Sequence, residues 1–136
     1  MSLRNIALLV SYDGADFCGF ARQPEKRSVQ QVLEDSWAAV ADESIRMIAA
    51  GRTDSGVHAL GHVVHFHTSS DLPLKQIPRA LNSQFSSDIV VRDSAEMHSS
   101  FDACQDAVSK HYIYSMNIGN VRSSLGRKYS YWVPQM

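Results

Sequence analysis

Every position from Ile6 to Val10 is apolar, with Ile6, Leu8 and Val10 alternating against Ala7 and Leu9. Such a run predicts a strand over residues 4–12 covered on both faces, and hence a central place in its sheet. The period then changes. Val29, Val32, Leu33, Trp37 and Val40 recur at helical spacing behind Ser28, a good N-cap, so a helix is expected from Val29 to about Asp42 with Trp37 in the core. Residues 45–50 and 62–68 read as strands on either side of a polar turn bracketed by glycines. Residues 74–84 read as a second helix with Pro78 disturbing its middle. Strands over 89–92, 107–118 and 128–133 complete the set, the middle one being the longest. Two helices and about six strands in mixed order predict an α+β domain, an antiparallel or mixed sheet with helices packed on one face and the other face open. No repeat, low-complexity stretch or linker interrupts the pattern, and residues 1–136 are expected to form one domain.

Composition narrows the class. With 44% apolar and 20% charged residues the chain can bury a core. No apolar run approaches the roughly 20 residues of a spanning helix, and no secretory or transit pattern opens the chain, so a cytoplasmic protein without a membrane partner is expected. Cys18 and Cys104 lack metal-type spacing and read as reduced thiols. Met1-Ser2-Leu3 is of a kind left by cloning and is excluded from the fold. Thirteen Lys and Arg stand against fourteen Asp and Glu, a formal charge of -1, where a nucleic-acid binder is expected to be basic. Two local clusters remain, Arg22, Lys26 and Arg27 early and Arg122, Arg127 and Lys128 late. On charge alone each is as readily a solvated loop as an anion-binding surface.

The chemistry concentrates in Gly51-Arg52-Thr53-Asp54-Ser55-Gly56-Val57-His58-Ala59-Leu60. Gly51 and Gly56 can take backbone angles closed to other residues, and Thr53 and Ser55 can hydrogen-bond nearby backbone, so the turn presents the Asp54 carboxylate in a defined direction. Arg52, two residues away, can pair with that carboxylate or with a phosphate. A rival lies in His58, His62, His65 and His67, since imidazoles are common zinc ligands. On a strand, however, His65 and His67 share one face while His62 takes the other, and neither an H-E-x-x-H pattern nor a cysteine pair supports them. A zinc-dependent hydrolase or deaminase is therefore the lesser reading, and no metal ligand is assigned.

The stretch GRTDSGVHA closely resembles the catalytic motif of the TruA-type family of tRNA pseudouridine synthases. The resemblance runs along most of the chain, in order. Tyr12-Asp13-Gly14, Phe17, Gly19-Phe20 and Arg22-Gln23 are similar to the family's first block, a strand ending in a turn that faces RNA. Ser28-Val29-Gln30 with Leu33-Glu34 matches its first helix, Gly61-His62-Val63-Val64-His65-Phe66 its returning strand, Leu81-Asn82 with Asp88-Ile89 its next segment, and Phe101-Asp102-Ala103 leads into Lys110-His111-Tyr112-Ile113-Tyr114. The resemblance implies a pseudouridine synthase-like half-domain in which Asp54 is the catalytic nucleophile, assisted by Arg52 and by Tyr112 as a platform for the extruded uracil. It implies substrate contacts from Tyr12, Asp13, Gly14, Arg22, Gln23, Gly51, Thr53, Gly56 and His58. The substrate would be the anticodon stem-loop of tRNA, and no cofactor is implied.

Departures from the family pattern bear on affinity. Phe20-Ala21 stands where the family usually has Trp and Gln, Asp102 and Cys104 where it has His and Arg, and Phe85-Ser86 where Leu-Pro is common. Exchanging an Arg and a His for an Asp makes the RNA-facing surface less cationic and should weaken phosphate contacts. Family members carry two related halves around a cleft, and Tyr129-Ser130-Tyr131-Trp132-Val133-Pro134-Gln135-Met136 resembles the link into the second. This chain by itself is therefore expected to bind tRNA poorly and to release no pseudouridine, unless a homodimer rebuilds the cleft. A shortened, catalytically silent RNA-binding or assembly module is the main alternative.

Overall fold

The computed structural model describes residues 3–134. Met1 and Ser2, and Gln135 and Met136 of the expected link, lie outside the described residues. Strand β1 (Arg4–Tyr12) is central, as its two-sided apolar run requires. It pairs antiparallel with β3 (Ala59–Thr68) on one side and β4 (Ile89–Met97) on the other, and β2 (Ile48–Ala49) adds to the outer edge of β3. Helices α1 (Val29–Ala41) and α2 (Ile77–Asn82) pack on one face of this sheet. There Ile6, Leu8 and Val10 meet Val64 and Phe66, Leu33 and Trp37 of α1, and Ile77 and Leu81 of α2. Trp37 is fully buried, edge-on to Phe66 at 4.7 Å between centroids. The α+β class with helices on one face is the observed one.

Helix α1 starts where Ser28 predicts: the Ser28 side chain accepts a hydrogen bond from the Gln31 amide. Pro78 falls in the first turn of α2 and not its middle, because residues 74–76 form a separate 3-10 turn; an amide lacking a proton costs nothing there. Strand β2 is shorter than the expected 45–50. The Met47 amide donates to Glu34 and its carbonyl accepts from Gln30, so α1 side chains take the groups a strand would use. Strand β3 begins three residues before the expected 62, as Ala59 pairs with Tyr12. Strand β4 runs on past 92 to Met97 despite its polar sequence, because β1 offers it an edge as far as Asn5.

Two further corrections concern the chain's second half. Residues 107–115 are not part of a strand: only β5 (Met116–Gly119) forms, paired in parallel with β6 (Tyr131–Pro134) in a separate two-stranded sheet. Apolar alternation favours a strand but cannot supply a partner edge, and Val108, Ile113 and Tyr114 remain exposed. Nor is the second face of the main sheet wholly open. Residues 98–106 cross it, held by Asn5 Nδ2 donating to the carbonyls of His98 and Phe101 and by the Ala103 amide donating to His65 Nδ1 at 2.9 Å. Burial lowers the His65 pKa, which suits a ring that must accept this bond. Cys18 and Cys104 are both free thiols. Among the described residues no helix is long and apolar enough to cross a membrane.

One carboxylate ties α1 to the sheet. Glu43 accepts from Trp37 Nε1 at 2.8 Å, from the Thr68 hydroxyl, and from the Ser69 amide and hydroxyl at 2.8 Å each. Burial opposes its ionisation, but these bonds prevail and hold its pKa down at about 2. Glu43→Ala leaves Trp37 Nε1 and Thr68 without their acceptor, and should lower stability by about 1–3 kcal/mol in urea unfolding. A folded pKa of about 2 against an ordinary 4.5 means that the contribution is complete above the higher value and is lost as pH falls through the interval. Wild-type stability should therefore decline more steeply than that of Glu43→Gln between those two pH values.

Candidate active site

The loop between β2 and β3, residues 51–58, is fixed by the segment that follows β1. The Phe20 amide donates to the Thr53 carbonyl at 3.0 Å, and the Phe17 carbonyl accepts from the Gly56 amide and the Ser55 hydroxyl, each at 3.3 Å. A tight turn closes from Asp54 to Val57, the Val57 amide donating to the Asp54 carbonyl at 3.1 Å, and Gly56 supplies its positive φ of 83°. Gly14 is buried against the loop, so close that a Cβ there would stand 2.0 Å from the Val57 carbonyl oxygen. With its backbone thus occupied, the loop leaves the Asp54 side chain exposed.

Arg27 braces the supporting segment. Its guanidinium makes two bonds to the Asp88 carboxylate, at 2.8 and 3.0 Å, and lies 4.0 Å over the Phe17 ring. A bond from Arg27 lowers the Asp88 pKa, and the Asp88 carbonyl in turn accepts the Asp13 amide at 2.8 Å. The Asp13 side chain caps the 3-10 turn of residues 14–16 through the Ala15 amide. It also accepts from the Tyr129 hydroxyl at 2.6 Å, the main reason its pKa is lowered. His58 Nδ1 accepts the Gly14 amide at 2.8 Å, which puts the proton of the neutral ring on Nε2; its 3.2 Å approach to Asp13 is then a contact, not a second bond.

The remaining sequence-predicted residues fall into two groups. Arg52 and Tyr112 are exposed beside the loop, and Tyr112 lies near enough to Tyr12 to act on it electrostatically. Arg52 makes no ion pair with Asp54 or with any other described residue. A Cβ built at Gly51 would stand 2.6 Å from Lys110 Nζ, so the flexible end of Lys110 reaches the loop. Tyr12 is buried behind Thr53, its hydroxyl 2.7 Å from Thr53 Oγ1. Arg22 pairs with Glu34 and Asp35 of α1 at 3.1 and 2.9 Å, and Gln23 donates to the Cys18 carbonyl, so both side chains are engaged within the protein.

Sequence reasoning missed the Arg27–Asp88 brace, whose members are 61 positions apart. It also missed His62 as a partner of the Tyr12 hydroxyl, at 3.0 Å, although alternation with Val64 and Phe66 places it on the helix face. His65 and His67 lie on the other face. Among the described residues no three His, Cys, Asp or Glu side chains converge as metal ligands do. Arg122 and Arg127 line an open groove with Ser123, Ser124, Tyr131 and Trp132 at the other end of the chain.

A family model described as tRNA pseudouridine synthase matches residues 8–105. The tRNA pseudouridine synthase A of Geotalea daltonii is 43% identical over 125 residues, 92% of this chain and 51% of that protein. That of Caldicellulosiruptor saccharolyticus is 39% identical over 132 residues, 97% of this chain and 54% of that protein. That of Prochlorococcus marinus is 40% identical over 129 residues, covering 95% and 48%. The chain spans about half the length of the curated relatives it matches.

The packing of Gly14 under the loop yields a direct test. Gly14→Ala should drive the Val57 carbonyl away, costing about 1–3 kcal/mol in urea unfolding. The amide resonances of residues 54–58 should shift while those of α1 stay in place. Loop resonances identical to wild type would refute the contact.

Proposed function

This chain belongs to the tRNA pseudouridine synthase family, and on that premise we propose that Asp54 is the catalytic carboxylate of an isomerase that converts uridine to pseudouridine in tRNA. The supporting observation is the exposed Asp54 side chain on a loop whose backbone is tied to residues 14–20. The reaction breaks the bond from ribose C1′ to uracil N1, turns the base, and joins C1′ to C5. It has no net redox change and consumes no external group. A fixed carboxylate serves it either by adding to the base or sugar or by stabilising a cationic sugar.

Arg52 is assigned to the phosphate beside the extruded nucleotide, since among the described residues no carboxylate holds its guanidinium. Tyr112 is assigned to stacking on the uracil, which must leave the helical stack before Asp54 can reach it. The anticodon arm is the proposed target and the cytoplasm the proposed location. The substrate contacts fall to exposed groups at the loop, with Tyr12 and Gly14 supporting it from behind. Under this reading a further half or a second copy completes the cleft.

Asp54→Asn is nearly isosteric at an exposed site and should leave the far-ultraviolet circular dichroism and urea midpoint unchanged. In the polypeptide that shows turnover, it should reduce pseudouridine release from unmodified tRNA by about 10³-fold or more. Wild-type rates in that variant would sink the assignment. Tyr112→Phe should retain more activity than Tyr112→Ala, because stacking outlasts loss of the hydroxyl; equal and complete loss would move the proton step to the phenol. Residues 1–136 alone should bind tRNA weakly, more weakly still with added salt, and form no pseudouridine above background. Robust multiple turnover by this chain would instead point to a homodimer.

A further inference from the structure

All fourteen Asp and Glu precede residue 107, together with nine of the thirteen Lys and Arg. Lys110, Arg122, Arg127 and Lys128 follow it without an acid among them, so the near-neutral total hides a chain that is acidic first and basic last. Four of the five tyrosines and Trp132 lie in the same last stretch, and all five rings are exposed. Positive charge interleaved with accessible aromatic faces is the composition of a surface for single-stranded nucleic acid.

The fold gathers part of this set. Between the β5–β6 ribbon and residues 122–130 lies an open groove of about 690 Å³, whose lining includes Arg122, Ser124, Arg127, Tyr131 and Trp132. Its wall is held from within: the Tyr129 and Ser130 amides both donate to the Gly126 carbonyl at 3.0 Å, and the Gly126 amide donates to Ser123 Oγ at 3.0 Å. Trp132 Nε1 donates to the Gly119 carbonyl at 2.9 Å, which fixes the indole before any ligand arrives. Arg127 donates to the Ser124 carbonyl, and among the described residues neither it nor Arg122 meets a carboxylate. Tyr129, between Arg127 and Tyr131 in the chain, donates its hydroxyl to Asp13 at 2.6 Å and sets its ring 5.2 Å from that of His58. The groove-bearing segment therefore abuts the loop that carries Asp54.

We propose that this groove is a second RNA subsite, which takes unpaired nucleotides outside the reacting one: Arg122 and Arg127 hold phosphates, and Trp132 and Tyr131 stack on bases. Guanidinium forks match phosphate oxygens, and ring faces accept any base, so the subsite selects unpaired backbone and not sequence. An acidic peptide would satisfy the two arginines but would leave the two rings without flat partners. The inference deepens the reading of this chain as part of a tRNA-modifying enzyme, and supplies the contact that holds RNA while a base is extruded beside it.

The two tryptophans make the test direct, because Trp37 is fully buried and only Trp132 can touch a ligand. A single-stranded RNA of about seven uridines, titrated into this chain at low salt, should quench Trp132 fluorescence and shift its indole nitrogen-15 resonance, with Trp37 unmoved. Added salt should weaken binding. Arg122→Gln with Arg127→Gln should keep the wild-type urea midpoint, bind at least about 10-fold more weakly, and flatten the slope of log affinity on log salt by about 1.4, for two phosphates lost. Trp132→Ala should cost about 10-fold. A poly-glutamate peptide of similar charge should bind at least about 10-fold more weakly than the RNA. An unshifted Trp132 resonance, which needs no variant to detect, or unaltered RNA affinity in the folded double variant, would overturn the proposal; peptide binding equal to that of RNA would overturn it in favour of an acidic protein. None of these readings involves turnover, so a failure of the groove leaves the Asp54 assignment standing, and an active Asp54→Asn enzyme leaves the groove standing.

Discussion

A loop that offers a carboxylate to solvent must satisfy its own backbone somewhere else, and here residues 14–20 meet that demand. The carbonyl of Phe17 and the amide of Phe20 are both spent on residues 53–56. The arrangement holds only while residues 14–20 themselves stay put, and nothing in that short stretch is a helix or strand long enough to be rigid. Rigidity comes from Arg27, which joins Phe17 to Asp88, and from Asp88, whose carbonyl receives the Asp13 amide. Bidentate arginine–carboxylate pairs fix direction as well as distance. The loop thus inherits its geometry from the start of β4, an element far from it in sequence.

Legibility in the sequence followed the range of the interactions involved. β1 and α1 were readable because β1 carries an unbroken apolar run from Ile6 to Val10 and α1 keeps a helical apolar period through Trp37 and Val40. The far half of β4 was not, since Arg92, Asp93, Ser94 and Glu96 carry no period and the strand exists because β1 supplies an edge. Residues 107–115 failed in the opposite sense, having the alternation of a strand without an edge to join. At the site, Asp54 and Arg52 sit within one short motif and could be read from it. The Arg27–Asp88 pair and the link from His62 through Tyr12 to Thr53 join distant positions and have no local signature.

The near-zero net charge is also easier to place once the pairs are known. Arg4, Arg22 and Arg27 are matched to Glu96, to Glu34 and Asp35, and to Asp88, so three of the thirteen basic side chains are neutralised within the domain. Arg52 and Lys110 stand at the loop without such partners among the described residues. Positive charge that is free of internal ion pairs is thus found at the loop that carries Asp54. Phosphate binding then depends on placement more than on the total.

The β5–β6 ribbon sets a different kind of limit. Two parallel strands leave a row of backbone donors and acceptors unpaired on each outer side, and Met116, Ile118 and Tyr131 around them are exposed. Such edges are templates for strand addition by any neighbouring chain. The well-packed core governs whether a molecule unfolds, whereas this ribbon governs whether molecules stay apart. In concentrated solution the colloidal behaviour of the domain is therefore governed by residues 116–134, and charge placed along those edges would improve solubility without touching the Asp54 loop.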